Sequence, residues 1–168
     1  MKAKAIVYTS NTGYTAEYAH LLGERTLLPV YTLEEAKRSL PKDTEIVYLG
    51  WLMASMVKGY GEAAKHFKIA LVCGVCLGTS GSQIDEVRRV NKLPTSLPLF
   101  TLQGGFDMAR LRGIYKLMMR MMRKILVKQI VQKSEQTEDD MKILRLLQNG
   151  GSAVDGRYLN EIIEKLKQ

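Results

Sequence analysis

Residues 10–15 read Ser10-Asn11-Thr12-Gly13-Tyr14-Thr15, three small hydroxyl side chains around one glycine. The chemistry that such a group offers is anion binding. The first N–H groups of a helix have no partner within it, and short hydroxyl side chains beside them add donors. Together they can hold a phosphate monoester without a lysine. The stretch directly follows the apolar run Ala5-Ile6-Val7-Tyr8, so it falls where a strand ends and a helix begins.

Two later stretches carry further chemical groups. Gly50-Trp51-Leu52-Met53-Ala54-Ser55-Met56 holds the only tryptophan, immediately after an apolar run. Two readings of Trp51 stay open: its ring meets a ligand, or it packs under the next helix. Cys73-Gly74-Val75-Cys76-Leu77-Gly78-Thr79-Ser80-Gly81 contains a Cys-x-x-Cys. Redox dithiols of that form sit at a helix N-terminus, which lowers the thiolate pKa. Cys73 and Cys76 instead close a strand, where positions three apart point to opposite faces, which weighs against a dithiol. Gly59-Tyr60-Gly61-Glu62-Ala63-Ala64 mimics a dinucleotide fingerprint but does not directly follow a strand. His20 and His66, the only histidines, lack metal-ligand spacing, and no metal site is expected. There is no serine nucleophile elbow, Walker lysine or zinc cluster.

The elements that must position these stretches alternate. Strands are expected at 5–8, 27–31, 45–50, 69–73 and 98–102, and helices at 13–23, 33–40, 60–67 and 83–90. Pro29 puts the second strand at an edge, where a missing ladder donor is harmless. The run at 45–50 is apolar on both faces, as a central parallel strand must be. In the first helix Thr15, Ala19 and Leu22 share the face that meets the sheet. Such alternation predicts an α/β protein with a parallel sheet covered on both sides. Ligands of such sheets lie at the carboxyl ends of the strands, where the strand order reverses. Three further helices are expected at 108–132, 137–148 and 155–167. The whole reads as a single domain, 1–168, with its core at 1–106 and a helical extension at 107–168.

With 168 residues, 46% hydrophobic, the chain can bury a core. No run reaches the ~20 apolar residues of a membrane span, and the apolar start is too short for a signal peptide. Two cysteines make no disulfide framework, which fits a reducing, cytoplasmic setting. The net charge of +8 suits an anionic partner. Between Asp107 and Lys133 lie eight basic residues and one acid, a local excess of seven, so nearly all the imbalance sits there. On a helical wheel Leu111, Tyr115, Met118, Met122 and Ile125 share one face, widened by Leu117, Met119 and Met121. Arg112, Lys116, Arg120, Arg123 and Lys124 lie opposite. Two readings are open: a core helix with a solvated cationic face, or an amphipathic helix at 108–132 that meets an anionic membrane surface or an acidic protein. Nucleic acid is not expected, because the face lacks interleaved aromatics and no binding motif is present.

Ser10-Asn11-Thr12-Gly13-Tyr14-Thr15 resembles the flavodoxin phosphate loop, Ser/Thr-x-Thr-Gly-x-Thr, with Tyr14 where flavodoxins usually carry Asn. The resemblance implies a flavodoxin-like three-layer sandwich with a five-stranded parallel sheet in the order 2-1-3-4-5, and FMN as cofactor. By it, the hydroxyls of Ser10, Thr12 and Thr15 and the backbone of Asn11, Thr12, Gly13, Tyr14 and Thr15 hold the phosphate. Trp51, Leu52, Met53 and Ala54 would cover one face of the ring, although flavodoxins place their aromatic nearer Ala54 or Ser55. Cys76 and Gly78 would approach its edge. No glycine lies between Gly50 and Gly59, so a backbone flip to positive φ is costly in the second loop. Phe100-Thr101-Leu102-Gln103-Gly104-Gly105-Phe106, followed by Leu111 to Met122, also resembles the long basic insert of menaquinone-dependent protoporphyrinogen dehydrogenase. The expected function is FMN-binding electron transfer, with an acidic redox partner or an anionic membrane surface met by 108–132. The alternatives are a quinone-coupled, protoporphyrinogen dehydrogenase-like flavoenzyme and a flavin-poor module that binds a partner or a membrane.

Overall fold

The computed structural model describes residues 2–168. β1 (Ala5–Thr9) runs into α1 (Tyr14–Thr26), and β2 (Val30–Thr32) into α2 (Leu33–Ser39). There follow β3 (Glu45–Met53), β4 (Met56–Val57), α3 (Tyr60–His66), β5 (Lys68–Cys76), α4 (Ile84–Val90) and β6 (Leu99–Gln103). Beyond them lie β7 (Gly105–Phe106), α5 (Gly113–Val131), α6 (Glu138–Asn149), β8 (Gly151–Ser152), a 3-10 turn at Gly156–Leu159 and α7 (Asn160–Lys167).

The main sheet is parallel except at one place. The expectation of five strands ordered 2-1-3-4-5 needs correction: there are six, ordered β2-β1-β3-β5-β6, with β4 antiparallel beside β3. The cause is local. β3 does not stop at Gly50 but runs on through Trp51, Leu52 and Met53, then doubles back so that Met53 faces Met56. β5 likewise continues past Cys73 to Cys76, because Gly74 and Val75 find partners in Gly50 and Trp51. β2 is an edge strand, as expected, but it starts after Pro29, whose carbonyl accepts from the Ile6 N–H at 2.9 Å.

Strand alternation divides the core. Ala5, Val7, Ile46, Tyr48 and Val72 point to the side covered by α2, α3 and α4. Ile6, Val47, Leu49, Leu71 and Cys73 point to the side covered by α1 and α7. Thr15, Ala19 and Leu22 are buried on α1, as the periodicity predicts. Leu159 and Ile162, both fully buried, carry the core into the last helix.

Between β6 and α7 the chain leaves the sheet and returns. β7 pairs antiparallel with β8, Gly105 opposite Ser152 and Phe106 opposite Gly151, and α5 and α6 project from that clasp. Phe106, Ile130, Leu144 and Leu147 form a third apolar cluster between them. α5 starts at Gly113, five residues later than expected. The Asp107 carboxylate accepts from the Ala109 N–H at 2.8 Å, and Arg112 is extended, so 108–112 form a turn before the helix. α6 starts cleanly, because Thr137 and Asp140 exchange side-chain and backbone hydrogen bonds.

Candidate site at the carboxyl ends of the parallel strands

The strand order reverses between β1 and β3, and the segments after β1, β3, β5 and β6 converge at the carboxyl end of the sheet there. They line an apolar cavity of about 460 Å³ that stays partly open to solvent. Asn11, Thr12, Tyr14 and Thr15 form one wall, Trp51, Leu52, Met53 and Ala54 a second, and Val75, Cys76 and Leu77 a third. Tyr115, Met118, Met119, Met122 and Leu126 of α5 form a fourth wall.

The wall made by 10–15 begins with an unusual helix start. Gly13, at φ 97°, takes a conformation that side chains resist, and its N–H donates to Ser10 Oγ at 3.1 Å. No side chain caps α1, and after Gly13 the next N–H returned to the chain is that of Glu17, to the Gly13 carbonyl at 2.9 Å, which leaves those of Tyr14, Thr15 and Ala16. The N–H groups of the first turn are thus available to an anion, and the helix dipole favours one. A cation stands beside them: Arg110 Nη1 donates to the Thr12 carbonyl at 3.1 Å, and its guanidinium lies over the Tyr14 ring, 5.4 Å from the centroid. Arg110 also pairs with Asp107 at 3.2 Å.

Tyr14 does not aim its hydroxyl at the loop. Its ring is buried and its O–H donates to the Gly151 carbonyl at 3.0 Å, which ties α1 to the β7–β8 clasp. Burial, the larger influence, raises its pKa despite Arg110. Tyr14 is thus a structural tie between α1 and the clasp.

Trp51, expected in a loop, sits in β3 opposite Val75. Its ring does not pack under α3; it meets Tyr115 of α5 edge-on, with the Lys58 ammonium 5.8 Å from its centroid. Ala54 and Ser55 make the β3–β4 turn at φ 48° and 62°, a region costly for residues other than glycine. Asn91 holds it there, donating to the Ser55 carbonyl at 2.8 Å and accepting from the Val57 N–H at 2.9 Å. The positive φ that the absence of glycine argues against is thus built into the resting turn.

The two thiols are separated, as strand geometry predicts. Cys73 is buried in the core and burial pushes its pKa far up. Cys76 lines the cavity, donates weakly to the Gly78 carbonyl at 3.5 Å, and is pushed up to about 11 by burial. Both stay protonated near neutral pH, which is unsuited to dithiol exchange.

Nine of the twelve expected site residues line the cavity: Asn11, Thr12, Tyr14, Thr15, Trp51, Leu52, Met53, Ala54 and Cys76. Ser10 and Gly13 instead line a more polar cleft of about 710 Å³ on the other side of the loop, with Lys58, Glu34 and Glu62. Asn11, Trp51 and Tyr115 border both. Gly78 lines neither, and lies against Ser82 and Gln83. The sequence reading missed Arg110 as a site residue, and no motif marks it; only its place in the turn before α5 brings it to the loop. The α5 contribution had a signal, the apolar face through Tyr115, Met118 and Met122. Among the described residues no cluster of three or more metal-ligating side chains occurs. Chemically, the arrangement can hold an elongated ligand with an anionic end and an apolar body.

No family model matches this chain, and neither a curated protein nor a solved structure does.

Proposed function

We propose that this chain is an FMN-binding, flavodoxin-like redox protein. The observation that carries the reading is one convergence: an uncapped helix start with a cation beside it opens onto an apolar cavity at the crossover end of the sheet. With the hairpin strand β4 set aside, the parallel strands run in the flavodoxin-like order 2-1-3-4-5, which supports it.

In this reading the N–H groups of Tyr14, Thr15 and Ala16, the hydroxyls of Thr12 and Thr15, and Arg110 hold the phosphate. Trp51, Leu52, Met53 and Ala54 face the ring from one side, and Cys76 and Leu77 meet its edge. Met119, Met122 and Leu126 keep water from the apolar end. When bound, FMN supplies the electron-transfer chemistry, and the chain binds, orients and shields it. The Cys76 thiol, held protonated, adds apolar volume and a weak donor.

The test is uptake of FMN by the purified protein, followed by the quenching of flavin and Trp51 fluorescence. Saturable uptake of one FMN per chain is expected. Protein that takes up no FMN overturns the proposal.

A further inference from the structure

α5 has three sectors, and only one is satisfied by the rest of the protein. Tyr115, Met119, Leu126 and Ile130 recur at helical spacing and turn inward, toward the cavity and α6. Ile114, Leu117, Met118, Met121, Met122 and Ile125 follow the i, i+3, i+4, i+7 pattern on a second sector, and all six are exposed, Ile114 by 74%, Leu117 by 60% and Met121 by 61%. This stripe is about 17 Å long at 1.5 Å per residue. Seven of the eleven exposed large apolar side chains among the described residues lie on this one helix, so the exposure is concentrated and not incidental. The third sector carries Lys116, Arg120, Lys124 and Lys128, and among the described residues none of them forms an ion pair.

We infer that α5 docks flat on an anionic lipid bilayer, with Ile114, Leu117, Met121 and Ile125 entering the acyl boundary and Lys116, Arg120, Lys124 and Lys128 reaching the headgroups. An apolar sector beside unpaired cations is what an interfacial helix requires, and lysine stems reach from one layer to the other. A second copy of this chain is disfavoured, because α5 carries no acidic residue to answer the cations of its partner. A folded acidic protein would answer the charge, but it would also have to offer an apolar groove shaped to the whole stripe. Fluid acyl chains take up such a stripe without one. Met118 and Met122 belong both to the stripe and to the cavity wall, so docking turns that wall toward lipid.

The test is co-sedimentation of the full chain with phosphatidylcholine vesicles, with and without one-third phosphatidylglycerol. Binding is expected to the mixed vesicles and to be slight to phosphatidylcholine alone. K124Q and K128Q should each weaken it about fivefold at low salt. L117Q/M121Q, which alters exposed side chains outside the cavity, should weaken it by about tenfold or more at the same salt. The melting curve of L117Q/M121Q, expected unchanged because both side chains are exposed, is the check on folding. Wild-type protein that ignores the mixed vesicles overturns the inference, as does equal binding by L117Q/M121Q. It is also overturned if the stripe variants instead lose binding to a soluble acidic protein, or dissolve a dimer seen in sedimentation velocity. FMN uptake by the same variants is read separately, so this inference and the flavin reading can fail independently.

Discussion

The indole of Trp51 meets the ring of Tyr115 edge-on, with centroids 5.6 Å apart and planes at 88°. One comes from the far end of β3 and the other from the first turn of α5, and both border the apolar cavity and the polar cleft. The pair therefore joins the sheet to α5 at the partition between the two spaces. Tyr115→Ala should cost about 0.5–1.5 kcal/mol beyond the lost burial and shift Trp51 emission to the red. Since Trp51 is the only tryptophan, its emission reads this contact directly. Unchanged emission in Tyr115→Ala would show that the two rings do not meet in solution.

Arg110 lies beside the first turn of α1, at the Thr12 carbonyl and over the Tyr14 ring, so in the proposed reading it would meet the phosphate end of FMN and not the flavin. Arg110→Ala should therefore weaken FMN about tenfold or more, by the loss of a charged hydrogen bond, and leave riboflavin affinity nearly unchanged. Equal losses for both ligands would mean that Arg110 only holds the 107–112 turn in place.

Gly105 is needed for close approach. A Cβ there would stand 2.5 Å from the Tyr14 ring and nearer still to the Gly151 carbonyl. Gly105→Ala should open the β7–β8 clasp and cost about 1–3 kcal/mol, read as a lower urea midpoint. Gly61 in α3 is the control, since a Cβ there meets nothing within 4 Å. Gly61→Ala should raise stability by up to about 1 kcal/mol, because it restricts the unfolded chain and suits a helix.

Two buried phenols set the alkaline limit. The Tyr18 O–H donates to the Gln103 carbonyl at 2.7 Å and accepts from the Asp155 N–H at 3.2 Å, joining α1, β6 and the approach to α7. Tyr48 donates to the Lys58 carbonyl at 2.8 Å. Burial pushes both up to about 12 from 10.0. The unfolded chain then releases these protons first, so their stabilising contribution is full below pH 10 and is lost as the pH rises towards 12. The urea midpoint should fall across that window, and less steeply in Tyr18→Phe. A midpoint insensitive to pH there would contradict the burial of both groups.

The order of elements and the faces of α1 were legible in residue periodicity, because alternation and helical spacing are local properties of the chain. So was the hydroxyl-rich turn after β1, and so was the separation of Cys73 from Cys76, which follows from the two-residue repeat of a strand. Strand ends were not legible. Trp51-Leu52-Met53 and Gly74-Val75-Cys76 extend their strands because each supplies the other's ladder partners, and that pairing joins positions more than twenty residues apart. The same holds for the outward side of α5: its periodicity marks an apolar face, but only α6 and the cavity decide which part of that face is covered. Arg110 and the Tyr14 tie to Gly151 bridge about one hundred residues or more of chain. By itself, then, the sequence determined a parallel α/β layering and a hydroxyl-rich turn after the first strand. Tertiary structure alone decided the cation beside that turn, the second strand inserted beside β3 and the stripe left bare on α5, because those depend on which distant surfaces meet.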